Sequence, residues 1–244
     1  MKLIKALSKE TFEGDGVIVN RLFPIAERMN FDPFVLWDHF AIDPGHGFPE
    51  HPHRGFEAIT YMLSGKMHHK DNLGNDAWVG AGGAQVFCAG KGIQHSEMPG
   101  DKSNSVGIQL WINLAKKDKG IEPNYQQILA ERLPTRDFEG GHCIDIVGNS
   151  SPIALHTEIT YQHIQMDENA QYCTNIKPKH NVIIYLLRGV IELDGQTLRA
   201  KQAFLIKQFK AEDLVIHAKQ ACSFMICAGL PHNEIIHQHG PFVD

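Results

Sequence analysis

Residues 47–57 read Gly-Phe-Pro-Glu-His-Pro-His-Arg-Gly-Phe-Glu, two imidazoles and two carboxylates in a short run. On an extended strand alternate side chains share a face, so His51 and His53 point together while Pro52 points away. Pro52 has no N–H and suits a strand start or edge, which leaves the pair open to a cavity mouth. The same parity adds Gly55 and Glu57 to that face if no bulge intervenes, with Glu57 as a supporting group or reserve ligand. A second same-face pair, His95 and Glu97, follows in "AGKGIQHSEMPG", where Gly90 and Gly92 suit a tight turn. Three imidazoles and one carboxylate around an ion leave two positions of an octahedron open. Fe(II) needs both to take up a substrate and O2.

A plainer reading stands beside this one. The chain has 15 histidines, and His-x-His and His-x-Glu pairs arise readily in such a chain. His237-x-His239 has no matching carboxylate pair and reads as a tail or loop feature, while His68 and His69 are adjacent and read as a polar hairpin. From spacing alone, a metal centre at His51, His53, His95 and Glu97 and a chance pairing both remain open.

The elements that must position these residues are strands. Short β-branched and aromatic runs bounded by Gly, Pro, Asn or Asp recur throughout ("GVIVNRLF", "FEAITYML", "VGIQLWINL", "VIIYLLRGVIEL"), the pattern of an all-β sandwich or barrel. "PNYQQILAERLP", Pro123 to Pro134, is the best break, and "FEAITYMLSGKMHHKDNLG" before it echoes "NVIIYLLRGVIELDGQTLR" after it. An internal duplication is expected, with domains at 1–132 and 133–244.

Composition narrows the function. Hydrophobic residues are 43% and charged residues 21% of the 244, a globular balance. A formal charge of −5 gives no general attraction to nucleic acid, and the one basic run, Lys116-Lys117-Asp118-Lys119, reads as a solvated loop. Five scattered cysteines without a Cys-x-x-Cys pair indicate neither a disulfide framework nor a thiolate zinc site, and suit a reducing compartment. Lysines interrupt the apolar residues of the N-terminus, unlike a signal peptide, and no apolar run approaches the roughly 20 residues that span a bilayer. A cytoplasmic protein without membrane contact is expected.

"DPFVLWDHF", "GFPEHPHRGFEAITYMLSG", "AGKGIQHSEMP", "GIQLWINL" with "PNYQQI", and "GLPHNEIIHQHGPFV" together resemble the pirin family of the cupin superfamily, although Ile235 stands where that family usually has proline. The resemblance implies an all-β bicupin, two antiparallel β-barrel (jelly-roll) domains in one chain. It implies that the N-terminal barrel holds one iron through His51, His53, His95 and Glu97, and that the second barrel, offering only His180 near the equivalent place, holds none. The implied metal is Fe(II), with Mn, Ni, Cu or Zn as substitutes for the same donors.

The implied activity is that of a quercetin 2,3-dioxygenase, opening a flavonol ring with O2 and releasing carbon monoxide, with Glu97 or Glu57 taking the hydroxyl proton. The alternative is a metal-binding, redox-sensing or transcription co-regulatory protein acting through protein partners. A monomer is expected. Phe48, Phe56 and Met98 flank the ligand motifs and suit an apolar wall for a flat ligand, though core packing accounts for them equally.

Overall fold

The computed structural model describes residues 2–100, 103–210 and 213–244. Among these, every ladder between named strands is antiparallel, and helix is confined to two 3-10 turns. The chain forms two compact units. The unit that carries the histidine motifs comprises Lys9–Arg132, Ile153–Thr157 and His232–Asp244. The other comprises Met1–Ser8, Leu133–Pro152 and Glu158–Pro231. Each unit is assembled from three separate stretches of chain rather than from one cut. The strand Ile4–Leu7 pairs with Gln202–Ile206, and the last residues return to the histidine unit.

In the histidine unit a seven-stranded sheet runs Asn124–Ile128, Ala84–Cys88, Phe56–Ser64, Ser105–Asn113, Phe34–Ile42, Val17–Phe23, Lys9–Glu13. A four-stranded sheet runs Phe48–His53, Ile93–Pro99, Lys66–Asp71, Asp76–Gly80. The ladders stay separate rather than closing into one barrel. Central strands such as Phe34–Ile42 are almost wholly buried, which their run of Phe, Val, Leu, Trp and Ile dictates. Phe56, Phe87 and Trp111 form the core beside the histidines, Phe56 stacking on Trp111 at 4.1 Å.

The other unit repeats this order except at one edge of its large sheet, where Ile4–Leu7, first in the chain, takes the place that Asn124–Ile128, last of its sheet in the chain, holds in the histidine unit. Its seven-stranded sheet runs Ile4–Leu7, Gln202–Ile206, Asn181–Arg188, Cys222–Gly229, Ile159–Met166, Gly141–Val147, Thr135–Phe138. Its four-stranded sheet runs Gln171–Asn175, Asp213–Ala218, Val190–Leu193, Gln196–Arg199. The duplicated topology makes the chain a bicupin. Where the first unit has Phe48–His53, the second has Gln-Tyr-Cys-Thr-Asn, with no imidazole. Its interior is filled by a continuous apolar cluster that includes Phe204, Phe224 and Ile184.

Candidate metal centre

The strands Phe48–His53 and Ile93–Pro99 are neighbours, and their register sets His95 opposite His51 and Ile93 opposite His53. Ile93, His95 and Glu97 are buried while Gln94 is exposed, as a period of two requires. Beyond His95 the register slips so that Glu97 faces Phe48, the extra residue falling in the Pro-containing strand, where a missing N–H costs no ladder bond.

Ring nitrogens of His51, His53 and His95, one from each, lie within 4.8 Å of one another. Their hydrogen bonds determine which nitrogens are bare. The Nδ1 of His51 lies 2.7 Å from the Pro49 carbonyl and that of His53 lies 3.2 Å from the Pro241 carbonyl. A carbonyl only accepts, so both Nδ1 atoms carry the proton and both Nε2 atoms are bare. For His95 the route is longer. Asp71 accepts from His69 Nε2 at 2.9 Å, which makes His69 Nδ1 an acceptor, and it takes the His95 Nδ1–H at 3.4 Å. His95 Nε2 is therefore bare as well, and it faces His51 Nε2 at 3.1 Å. Two lone pairs at that distance repel unless a cation lies between them. Two nitrogens each about 2.1 Å from an ion and at right angles lie roughly 3.0 Å apart.

Burial, with the neighbouring His51, lowers the His53 pKa to about 3, and burial among His53, His51 and His69 holds His95 well below its ordinary value. Both stay neutral, which metal ligation requires.

Glu97 lines the same cavity but stands outside the trio: its carboxylate is not within 4.8 Å of all three nitrogens. Its Oε1 accepts from Thr60 Oγ1 at 2.9 Å and from Gln85 Nε2, both on the facing sheet. Those bonds leave Oε2 to the cavity.

The structure corrects the placement of Glu57. Strand parity does not run from His53 to Glu57, because His53 ends a strand of one sheet and Phe56 begins a strand of the other. Between them Gly55 has φ +85°, and a Cβ there would stand 1.8 Å from the Val243 carbonyl oxygen. Thr60 reaches Glu97, so Glu57, three residues earlier on that strand, faces the other way. It accepts from the His156 and Thr157 backbone N–H groups at 2.8 and 3.0 Å and cannot serve the imidazole cluster.

Other expectations divide. Phe48 lines the cavity, whereas Phe56 is core against Trp111 and Met98 packs at Gly47. His237 and His239 are exposed, as a tail feature should be. His69 is not a polar hairpin residue: it is fully buried and stacked on Tyr125 at 4.1 Å. The spacing His69-x-Asp71 carries the same period-two signal as His51-x-His53 and was legible. Lys119 is not a solvated loop lysine, since its amine donates to Gly55 O, Asn113 Oδ1 and Val243 O. It thereby holds the C-terminal segment whose Pro241 orients His53.

The cavity measures about 540 Å³. Leu36, Phe40, Phe48 and Trp111 give it apolar walls, and the exposed Met29 and Glu50 stand among its lining residues. Its guanidinium, Arg21, is committed to Asp38 through two bonds of 2.8 and 2.6 Å and to Glu13 at 2.6 Å.

The family model for pirin matches residues 16–112 and that for the pirin C-terminal cupin domain matches 161–244. A pirin-like protein of Solanum lycopersicum is 35% identical over 246 residues, covering 98% of this chain and 84% of that one. A pirin-like protein of Caulobacter vibrioides is 32% identical over 255 residues, covering 100% and 91%. Among solved structures, a quercetin 2,3-dioxygenase from Acinetobacter baumannii superposes with a TM-score of 0.90 at 26% identity, covering 99% of this chain and 91% of that one. A bacterial pirin from Escherichia coli in complex with nickel(II) superposes with a TM-score of 0.78 at 22% identity, covering 94% and 99%. The motifs, the duplicated topology and these matches along the chain make it a member of the pirin family, within the cupin superfamily.

Proposed function

We propose that the cavity is the active site of a metal-dependent dioxygenase of pirin type that takes a flat, oxygen-rich aromatic substrate of the flavonol class together with O2. The observation that carries this reading is the set of three imidazoles whose hydrogen bonds leave every Nε2 bare and close together, two of them, His51 and His53, lining a cavity of about 540 Å³. His51, His53 and His95 would hold a divalent ion, Fe(II) in this reading, with Glu97, two residues beyond His95 on the same strand, completing the donor set. Bound there, the metal supplies Lewis acidity that favours the ionised form of a substrate hydroxyl, and redox chemistry toward O2.

The remaining work falls to this chain's own side chains. Glu97 takes the hydroxyl proton on Oε2, while Thr60 and Gln85 anchor Oε1 and keep the carboxylate aimed. Leu36, Phe40 and Trp111 offer the aromatic rings a dry surface, and the volume falls in the range usual for sites that enclose molecules of this size. Arg21 is already paired, so the walls favour a polyphenol over a carboxylate-bearing substrate. The kinship with the Acinetobacter baumannii enzyme supports the reaction class, and the nickel(II) of the Escherichia coli pirin fits a divalent ion.

The test is anaerobic loading with Fe(II) followed by a flavonol and O2. The expected result is loss of the substrate's visible absorbance with release of carbon monoxide, abolished in His53→Ala together with the metal. A metal-replete sample that leaves the flavonol untouched overturns the enzymatic reading and favours a regulatory pirin that acts through protein partners.

A further inference from the structure

We propose a second divalent-cation site, formed by Glu57, Cys88 and His156 on the face of the seven-stranded sheet turned away from the three imidazoles, and suited to a borderline-soft ion such as Zn²⁺. Glu57 and Cys88 are direct cross-strand neighbours on Phe56–Ser64 and Ala84–Cys88. Each alternates with residues that face the histidines: Phe87, before Cys88, lies against His53 and His95. His156 arrives from the segment Ile153–Thr157 of the same unit. One donor atom from each of the three residues lies within 4.8 Å of the other two.

Charge gives the site its reason. Glu57 is 1% exposed, and its ion-pair partner among the described residues is the imidazole of His156, charged only when protonated. A buried carboxylate is costly without a paired charge, and a divalent ion supplies one. The donors are an oxygen, a sulfur and a nitrogen, the mixture zinc accepts. Glu57 Oε1 and His156 Nδ1 stand 3.1 Å apart, close to the spacing of two ligands on one ion. The half-exposed ring of His156 gives an entry path from solvent.

Ligation needs the Cys88 thiolate, so binding sends one proton from sulfur to solvent and moves the His156 proton to Nε2. Burial and the Glu57 charge push the free thiol up to about 12, and an adjacent cation opposes the second influence. The bound ion would clasp the segment 153–157 to the sheet, where the Glu57 bonds to His156 and Thr157 already seat it.

Cobalt(II) separates this site from the imidazole centre, because only a sulfur ligand produces a thiolate-to-cobalt charge-transfer band in the near ultraviolet. Protein whose imidazole centre is already filled with iron, titrated with Co(II), should develop that band to one equivalent per chain, with release of a proton. Cys88→Ala should lose the band and keep the iron content of the imidazole centre. His156→Ala, at an exposed position, should need more cobalt to reach it. Cys173→Ala, which removes the exposed cysteine, should leave it unchanged. Absence of the band when the imidazole centre is full, or its persistence in Cys88→Ala, overturns the proposal.

Discussion

His69 is the residue through which the metal centre is most sharply tested. The imidazole of His95 is 1% exposed and its Nδ1–H has His69 Nδ1 as acceptor, itself set by Asp71. Leucine in place of His69 removes that acceptor without stranding Asp71, which still accepts from the backbone of Leu73 and from the backbone and side chain of Asn75. In the metal-free variant His95 escapes an unsatisfied buried donor by moving its proton to Nε2, between the rings. Metal binding must then drive the proton back to Nδ1, at about 1–3 kcal/mol for the unpaired buried group. At roughly 1.4 kcal/mol per decade, that is about 5- to 150-fold in affinity, in line with the 10- to 100-fold typical of lost partners behind a metal ligand. The assay is Fe(II) competition against a chelator under anaerobic conditions. His69→Gln should largely restore affinity, because its amide oxygen can accept from His95. Equal affinities for the parent and His69→Leu, or His69→Gln as weak as His69→Leu, would refute the reasoning.

Acid should act on the same rings. The unfolded imidazole titrates near 6.5 and folded His53 near 3, so as pH falls between these values the unfolded chain takes up a proton that the native chain refuses. Stability of the metal-free protein should decline across that window by roughly 1.4 kcal/mol per pH unit for His53, with His95 adding to it in the same direction, as read by urea midpoints at fixed ionic strength; a flat profile from pH 6 to 4 contradicts the burial argument. Gly55→Ala should displace the C-terminal segment, since φ is +85° and the new methyl would meet the Val243 carbonyl. A loss of about 1–3 kcal/mol and weaker metal retention are expected, because Pro241 in that segment orients His53; unchanged melting and metal content would show that the segment carries neither role.

Much of this arrangement is written in local spacing. His51-x-His53 and His95-x-Glu97 each share a face because the strand period is two, and the burial of His53, His95 and Glu97 follows that rule. The same rule fails at Glu57, because a turn at Gly55 carries the chain from one sheet to the other and resets which side faces inward. The rule also holds at His69 and Asp71, which share the buried face and a hydrogen bond, while the adjacent His68 turns the other way and stacks on Trp78.

The amino-acid order alone was sufficient for the all-β class, the doubled arrangement and the shared face within each of the two residue pairs, since those depend on pleat period, turn residues and repetition. Convergence belongs to the folded molecule. That His95 lies opposite His51, that Glu97 is drawn to Thr60 and Gln85, and that a carbonyl near the chain's end fixes the proton on His53 all depend on pairings between residues 12 to 188 positions apart. No local pattern encodes such distances, because register between remote strands is settled by the packing of the whole unit.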